Sequence, residues 1–208
     1  MLRTPILMKK LDRDKIRGKL VIGLLGTNCG AGVTHFGLMM AHYFSEYQGQ
    51  KTAFIECGYH NELEYLQRAL FQTEENSYNG DFFRLGRITF YKNLNLQKIP
   101  EVVGGSYDCV ILDLGTDMAK HKGEFLRCDK KVVVCSLAIW KQHELENFIN
   151  NSMHIQDSNQ WIYVSPFTTT RIRKEAVKKL GRTIYGIPYE PDPFFLSEEM
   201  ILFFQKIL

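Results

Sequence analysis

The sequence predicts an α/β protein built on a mainly parallel sheet of about seven strands flanked by helices. Three observations predict it. Short apolar runs recur along the chain, amphipathic stretches lie between them, and four of the sixteen glycines crowd between Gly23 and Gly32. The runs are KLVIGLL (19–25), TAFIE (52–56), ITFY (88–91), DCVILD (108–113), KVVVC (131–135), WIYV (161–164) and TIYGI (183–187). They are rich in Val, Ile and aromatics without polar alternation, which suits strands buried on both faces. After the first run and its glycine-rich turn, Phe36, Met39, Met40, Tyr43 and Tyr47 recur at three- and four-residue steps. That period predicts one helix over 34–48. In 171–181, Ile172, Ala176, Val177 and Leu180 repeat the pattern before Gly181, which reads as a helix stop. Strand, helix, strand in succession implies parallel pairing through helical crossovers.

The 208 residues, 45% hydrophobic and 24% charged, suffice for one buried core and exclude a disordered, collagenous or disulfide-stapled chain. No repeat or linker divides them, so the sequence predicts a basic arm over 1–18 and a single domain over 19–208. No apolar run reaches the roughly 18 residues of a membrane span. The first residues lack a long apolar stretch, so no secretory signal is read and a cytoplasmic location is expected. Five scattered cysteines without a CxxC give neither a disulfide framework nor a structural zinc site.

The net charge of +3 is unevenly spread. Residues 1–20 hold seven Lys/Arg against two Asp, and residues 171–182 hold six against Glu175 alone, leaving the remainder net acidic. Such a distribution argues for local contact patches rather than a general nucleic-acid coat. Arg171, Lys174, Lys178 and Arg182 are expected along one helix face, either as a DNA-phosphate contact or as a solvated flank.

In a sheet of this kind ligands bind beyond the carboxyl ends of the strands. The turns to read therefore follow Leu25, Glu56, Asp113, Cys135, Val164 and Ile187. After the first strand stands Gly26-Thr27-Asn28-Cys29-Gly30-Ala31-Gly32-Val33-Thr34-His35. A strand, a glycine-rich loop and a helix start form a setting in which backbone N–H groups wrap a phosphate. Thr34, at the first helical turn, is placed to ligate Mg²⁺. The alternative is a tight βα turn that uses glycine for geometry alone. Asp113 ends an apolar strand at the same edge and is a candidate metal-facing carboxylate or a cap of the next turn. Asp117 reads as a helix N-cap. His35 is either a phosphate donor or a residue of the helix flank, and Cys29 a loop spacer. No G-x-S-x-G or H-E-x-x-H occurs, so serine-hydrolase and zinc-protease chemistries have no footing.

GTNCGAGVTH resembles the deviant Walker A loop of the MinD/ParA-type P-loop ATPases, whose pattern reads K-G-G-x-G-K-T-T. Gly30, Gly32 and Thr34 match it. Asn28 stands at the signature-lysine position and Val33 at the general Walker lysine position. In working enzymes those lysines neutralise phosphate charge during transfer. By analogy, single electrostatic groups are worth about 3–4 kcal/mol each, so losing both is expected to cost several kcal/mol. TAFIECGYHNEL resembles the family's second strand and switch, with Glu56 at the first acidic position and Gly58 where the water-positioning Asp is expected. YDCVILDLG resembles the Walker B strand, making Asp113 the carboxylate that holds Mg²⁺ through water. WIYVSPF resembles the sixth strand, with Ser165 at the base-reading position, and IPYEPDP the segment beside the adenine, with Pro188. The resemblance spans about residues 19–208. Within the family it is nearest the TadZ/CpaE branch, which positions Flp/Tad pilus machinery.

The resemblance implies the P-loop NTPase fold, ATP or ADP with Mg²⁺ held by the loop from Gly26 to His35, protein partners and a homodimer. It implies a pseudo-ATPase scaffold or positioning factor, with an active Mg-ATPase and a DNA- or membrane-surface module as alternatives. SEEMILFFQKIL invites comparison with the membrane-targeting helix of MinD-type proteins. Its polar face holds one Lys and two Glu, so packing on the sheet is expected.

Overall fold

All seven apolar runs become strands in the computed structural model, which describes residues 18–58, 61–71 and 80–208. In chain order the strands and helices are β1 (Leu20–Gly26), α1 (Val33–His42), β2 (Thr52–Glu56), α2 (Glu62–Phe71), β3 (Phe82–Leu85), β4 (Ile88–Tyr91), α3 (Ile99–Gly104), β5 (Cys109–Asp113), α4 (Met118–Arg127), β6 (Lys130–Val134), α5 (Gln142–Ser152), β7 (Ile162–Ser165), α6 (Thr170–Leu180), β8 (Ile184–Gly186) and α7 (Glu198–Ile207). The sheet order is β3-β4-β2-β5-β1-β6-β7-β8. Every pairing is parallel except β3 with β4. The expected α/β architecture is therefore present, with eight strands rather than seven.

The additional strand is β3. Phe82 and Arg84 are exposed while Phe83 is buried, so the segment lacks the unbroken apolar signature of the central strands. A second correction concerns the helix expected over 34–48. Its α-helical part ends at His42, and Tyr43–Tyr47 forms a π-helical turn in which Gln48 N donates to Tyr43 O (3.2 Å). The apolar period survives that change, because a widened turn keeps Tyr43 and Phe44 buried. The expected arm over 1–18 lies outside the described residues except for Gly18.

Side chains alternate between two cores. On one face Ile22, Leu24, Phe54, Phe90 and Ile111 pack against Phe36 and Met40 of α1 and Met200 and Phe204 of α7. On the other, Leu25, Ile55, Val110, Leu112 and Val133 pack against Phe125 of α4, Leu145 of α5 and Ala176 of α6. Close approach of α1 to the sheet requires Gly37, where a Cβ would stand 2.6 Å from Phe54 Cε2 and 2.7 Å from Leu24 Cδ1. The C-terminal helix packs on the sheet as expected, burying Met200, Ile201, Phe204 and Ile207. No helix among the described residues is long and apolar enough to cross a membrane.

Candidate nucleotide-binding site

Strand β1 lies between β5 and β6, so the chain leaves it in one direction and later returns to its other side. Its carboxyl end is thus the topological switch point at which such sheets open a crevice. The glycine-rich loop occupies that point. Gly30 (φ 75°) and Gly32 (φ 93°) adopt left-handed conformations that a side chain would strain. Ala31 N donates to Asn28 O (3.2 Å), closing the loop, and Gly32 serves as N-cap of α1 without a side-chain cap. The first-turn N–H groups of a helix have no intrahelical acceptor and carry the positive end of its dipole. An anion is the natural partner for this geometry.

Across the crevice, Thr34 Oγ1 donates to Asp113 Oδ2 (2.6 Å), and Gly115 N donates to Asp113 Oδ1 (3.0 Å). The two residues are 79 positions apart in sequence. A hydroxyl and one carboxylate match the sparse protein donor set of Mg²⁺, which completes its shell with waters and substrate phosphates. Among the described residues no group of three or more His, Cys, Asp or Glu can hold a metal by itself.

Asn28 and Val33, which the sequence resemblance sets at lysine positions, are neutral and committed elsewhere. Asn28 is buried; its Oδ1 accepts from Thr27 Oγ1 (3.0 Å) and its Nδ2 donates to Cys29 O (2.8 Å). Val33 is also buried and lies against Gly26, where a Cβ would meet Val33 Cγ2 at 2.7 Å. Cys29 is an exposed free thiol.

Beside the loop opens a cleft of about 280 Å³ lined by Gly30, Gly32, His35, Phe36, Pro166 and Pro188, among others. None of its lining residues is lysine or arginine, and Glu190 adds a carboxylate. His35 lines it but donates through Nε2 to Glu190 O (2.7 Å), tying α1 to the β8–α7 connection. Ser165 is fully buried, donates to Pro166 O (3.3 Å) and is not among the lining residues. Gly30, Ala31, Gly32, His35 and Pro188 thus line one cleft, whereas Gly26, Thr27, Asn28, Cys29, Val33, Thr34 and Ser165 are not among its lining residues. Two lining residues escaped the sequence reading: Phe167 (87% exposed, φ 49°) and Tyr189 (75% exposed), whose ring centroids are 6.1 Å apart. Their signal was their place directly after two strand ends.

Glu56, at the carboxyl end of β2, is buried in register with Asp113. It accepts from Asn93 N (3.2 Å) and Leu63 N (3.4 Å). Burial pushes its carboxyl up to about 7, and a hydrogen bond with Glu62 adds to the rise. The backbone donors oppose that rise without cancelling it. Asp117 is the N-cap of α4, accepting from Lys120 N (3.0 Å). On α6, Arg171, Lys174 and Lys178 are exposed, but Arg182 is not part of that face. It follows the helix end at Gly181 (φ 62°) and is half-buried, its charge holding the Tyr163 hydroxyl down against the upward pull of burial.

No family model and no curated protein matches the sequence. Solved structures do. A plasmid partition protein from Borrelia burgdorferi bound to AMPPNP superposes with a TM-score of 0.63 at 13% identity, over 91% of this chain and 96% of its own. The MinD cell division protein of Aquifex aeolicus gives 0.62 at 15%, over 88% and 94%. A ParA family ATPase from Chlorobium tepidum gives 0.61 at 14%, over 91% and 90%. With sheet order, loop position and the Thr34–Asp113 pair on one side and these superpositions on the other, the chain has the fold of the ParA/MinD-type P-loop ATPases.

Proposed function

We propose that this protein is a nucleotide-binding scaffold or positioning factor of the ParA/MinD type that turns ATP over slowly or not at all. One contrast carries the reading. The Thr34–Asp113 pair is kept at 2.6 Å, while the neutral Asn28 and Val33 are bound into loop and core. Groups that orient a nucleotide and its Mg²⁺ are retained; groups that stabilise charge during transfer are missing. ATP or ADP would lie along the loop from Gly26 to His35, its base in the cleft beside Pro188. Thr34 would ligate Mg²⁺ directly and Asp113 through water. The ion would supply charge neutralisation on the phosphates.

The test is a titration with a fluorescent ATP analogue, with and without Mg²⁺, beside steady-state phosphate release. Expected are weak, Mg²⁺-dependent binding lost in Asp113→Ala and phosphate release at background. Turnover matching a lysine-bearing relative would overturn the scaffold reading. It would favour the second one, an active Mg-ATPase with a rearranged site, which the intact Thr34–Asp113 geometry also supports.

Partners are proposed on two surfaces. Ile139, Trp140, Phe167 and Tyr189 are all exposed and follow the carboxyl ends of β6, β7 and β8. This apolar rim supports docking of a protein partner or a second copy. Arg171, Lys174 and Lys178 support a weak contact with DNA phosphates. Retention on DNA that persists after all three are neutralised would remove that role. A part in placing pilus machinery, as in the TadZ/CpaE branch, belongs to the same scaffold reading.

A further inference from the structure

The sheet edge remote from the loop is built unlike the rest of the molecule. Among the described residues β3 pairs with β4 alone, so its outer N–H and C=O groups face away from the sheet. The two sides of that edge differ in chemistry. On one side the register pairs Phe82 with Tyr91 and Arg84 with Thr89. These four residues line a groove of about 690 Å³ that also takes in Lys51, Arg87 and Lys98. Four cations line it against two carboxylates, Asp81 and Glu101, and Asp108 accepts from Lys51 N (2.8 Å) beside it. Lys98 lies 3.7 Å from Asp81 in an exposed pair, and the Arg84 guanidinium rests over the Phe82 ring at 5.7 Å. On the other side, Phe71 at the end of α2 is 42% exposed and meets Phe83 edge-on at 6.1 Å. Leu70 beside it is also exposed.

We propose that β3 is a docking edge for an acidic peptide segment of a partner protein, added as a further strand whose residues alternate between carboxylate and apolar side chains. Alternation follows from the strand itself, since successive side chains point to opposite faces. Carboxylates on the groove side meet Arg84, with Lys98 and Arg87 toward either end. Apolar side chains on the other face cover Phe71 and Phe83. Main-chain hydrogen bonds to β3 supply affinity, and the two faces supply register. Charge selects the occupant: residues 1–17 of this chain carry six Lys/Arg against two Asp, the wrong sign for the groove.

The experiment uses the full chain and a fluorescein-labelled decapeptide alternating glutamate with valine. Anisotropy is expected to saturate with a Kd of about 100 µM at low salt. Binding should weaken as salt screens the carboxylates. Arg84→Glu and, separately, Lys98→Glu are each expected to weaken it roughly tenfold; both residues lie on exposed surface, and circular dichroism checks that each variant folds. A lysine–valine decapeptide and a backbone N-methylated glutamate–valine peptide should not bind. Amide shifts should centre on residues 82–85. The proposal is overturned by absence of saturable binding up to about 1 mM, by equal binding of the lysine peptide, or by indifference to both charge reversals. Shifts that centre on residues 171–179 instead overturn it as well.

Discussion

At the scale of single residues, Glu56 makes the chain's stability depend on pH. Its native carboxyl titrates at about 7 against 4.5 for the ordinary group. Between those values the native state holds a proton that the unfolded chain has released, so stability falls as pH rises through the window. The loss is on the order of 3 kcal/mol, and Glu56→Gln should flatten it; urea midpoints near pH 5 and pH 8 measure both. At the loop, Val33→Lys tests the missing charge. Restoring an ammonium beside the helix N-terminus should tighten the ATP analogue at least about fivefold, or roughly 1 kcal/mol. Thr34 and Asp113 were legible in the sequence because Thr34 opens the helix behind the glycine-rich loop and Asp113 ends a recognisable strand. Phe167 and Tyr189 were not, because the direction of an exposed ring depends on the loop's own turn. At Phe167 that turn includes a left-handed residue no pattern announces. Ser165 was placed correctly along its strand, yet its hydroxyl bonds to its own loop.

At the scale of elements, helix placement depends on close contacts that periodicity does not record. Gly37→Ala should cost about 1–3 kcal/mol in chemical denaturation, since Phe54 and Leu24 leave no room for a methyl. Asp117→Ala should cost about 1 kcal/mol by removing the cap of α4. The six interior strands were readable because burial on both faces forces an unbroken apolar run. β3 was not readable, because an edge strand with one solvent face mixes Phe82 and Arg84 with buried Phe83. The helix over 34–48 was legible in extent but not in kind. A π-helical turn changes hydrogen bonding while preserving which side chains are apolar.

At the scale of the whole molecule, α7 closes one core rather than reaching outward. Phe204 is fully buried, with ring centroids 5.5 Å from Phe36 and 5.0 Å from Tyr43. Phe204→Ala should therefore cost about 3–5 kcal/mol, read as a lowered denaturation midpoint. Strand order has a further consequence for biosynthesis. β1, which leads into the glycine-rich loop, is the first of the described strands to leave the ribosome, yet its neighbours β5 and β6 are encoded about a hundred residues later. At ordinary synthesis speeds it waits roughly 5–20 s for them. Meanwhile β3 and β4 can already close through the two-residue turn Gly86–Arg87, a microsecond event. Nascent chains halted before β6 should thus be cut by protease within the glycine-rich loop, and chains halted well beyond it should resist. The first part of the site to be made is among the last to acquire its shape.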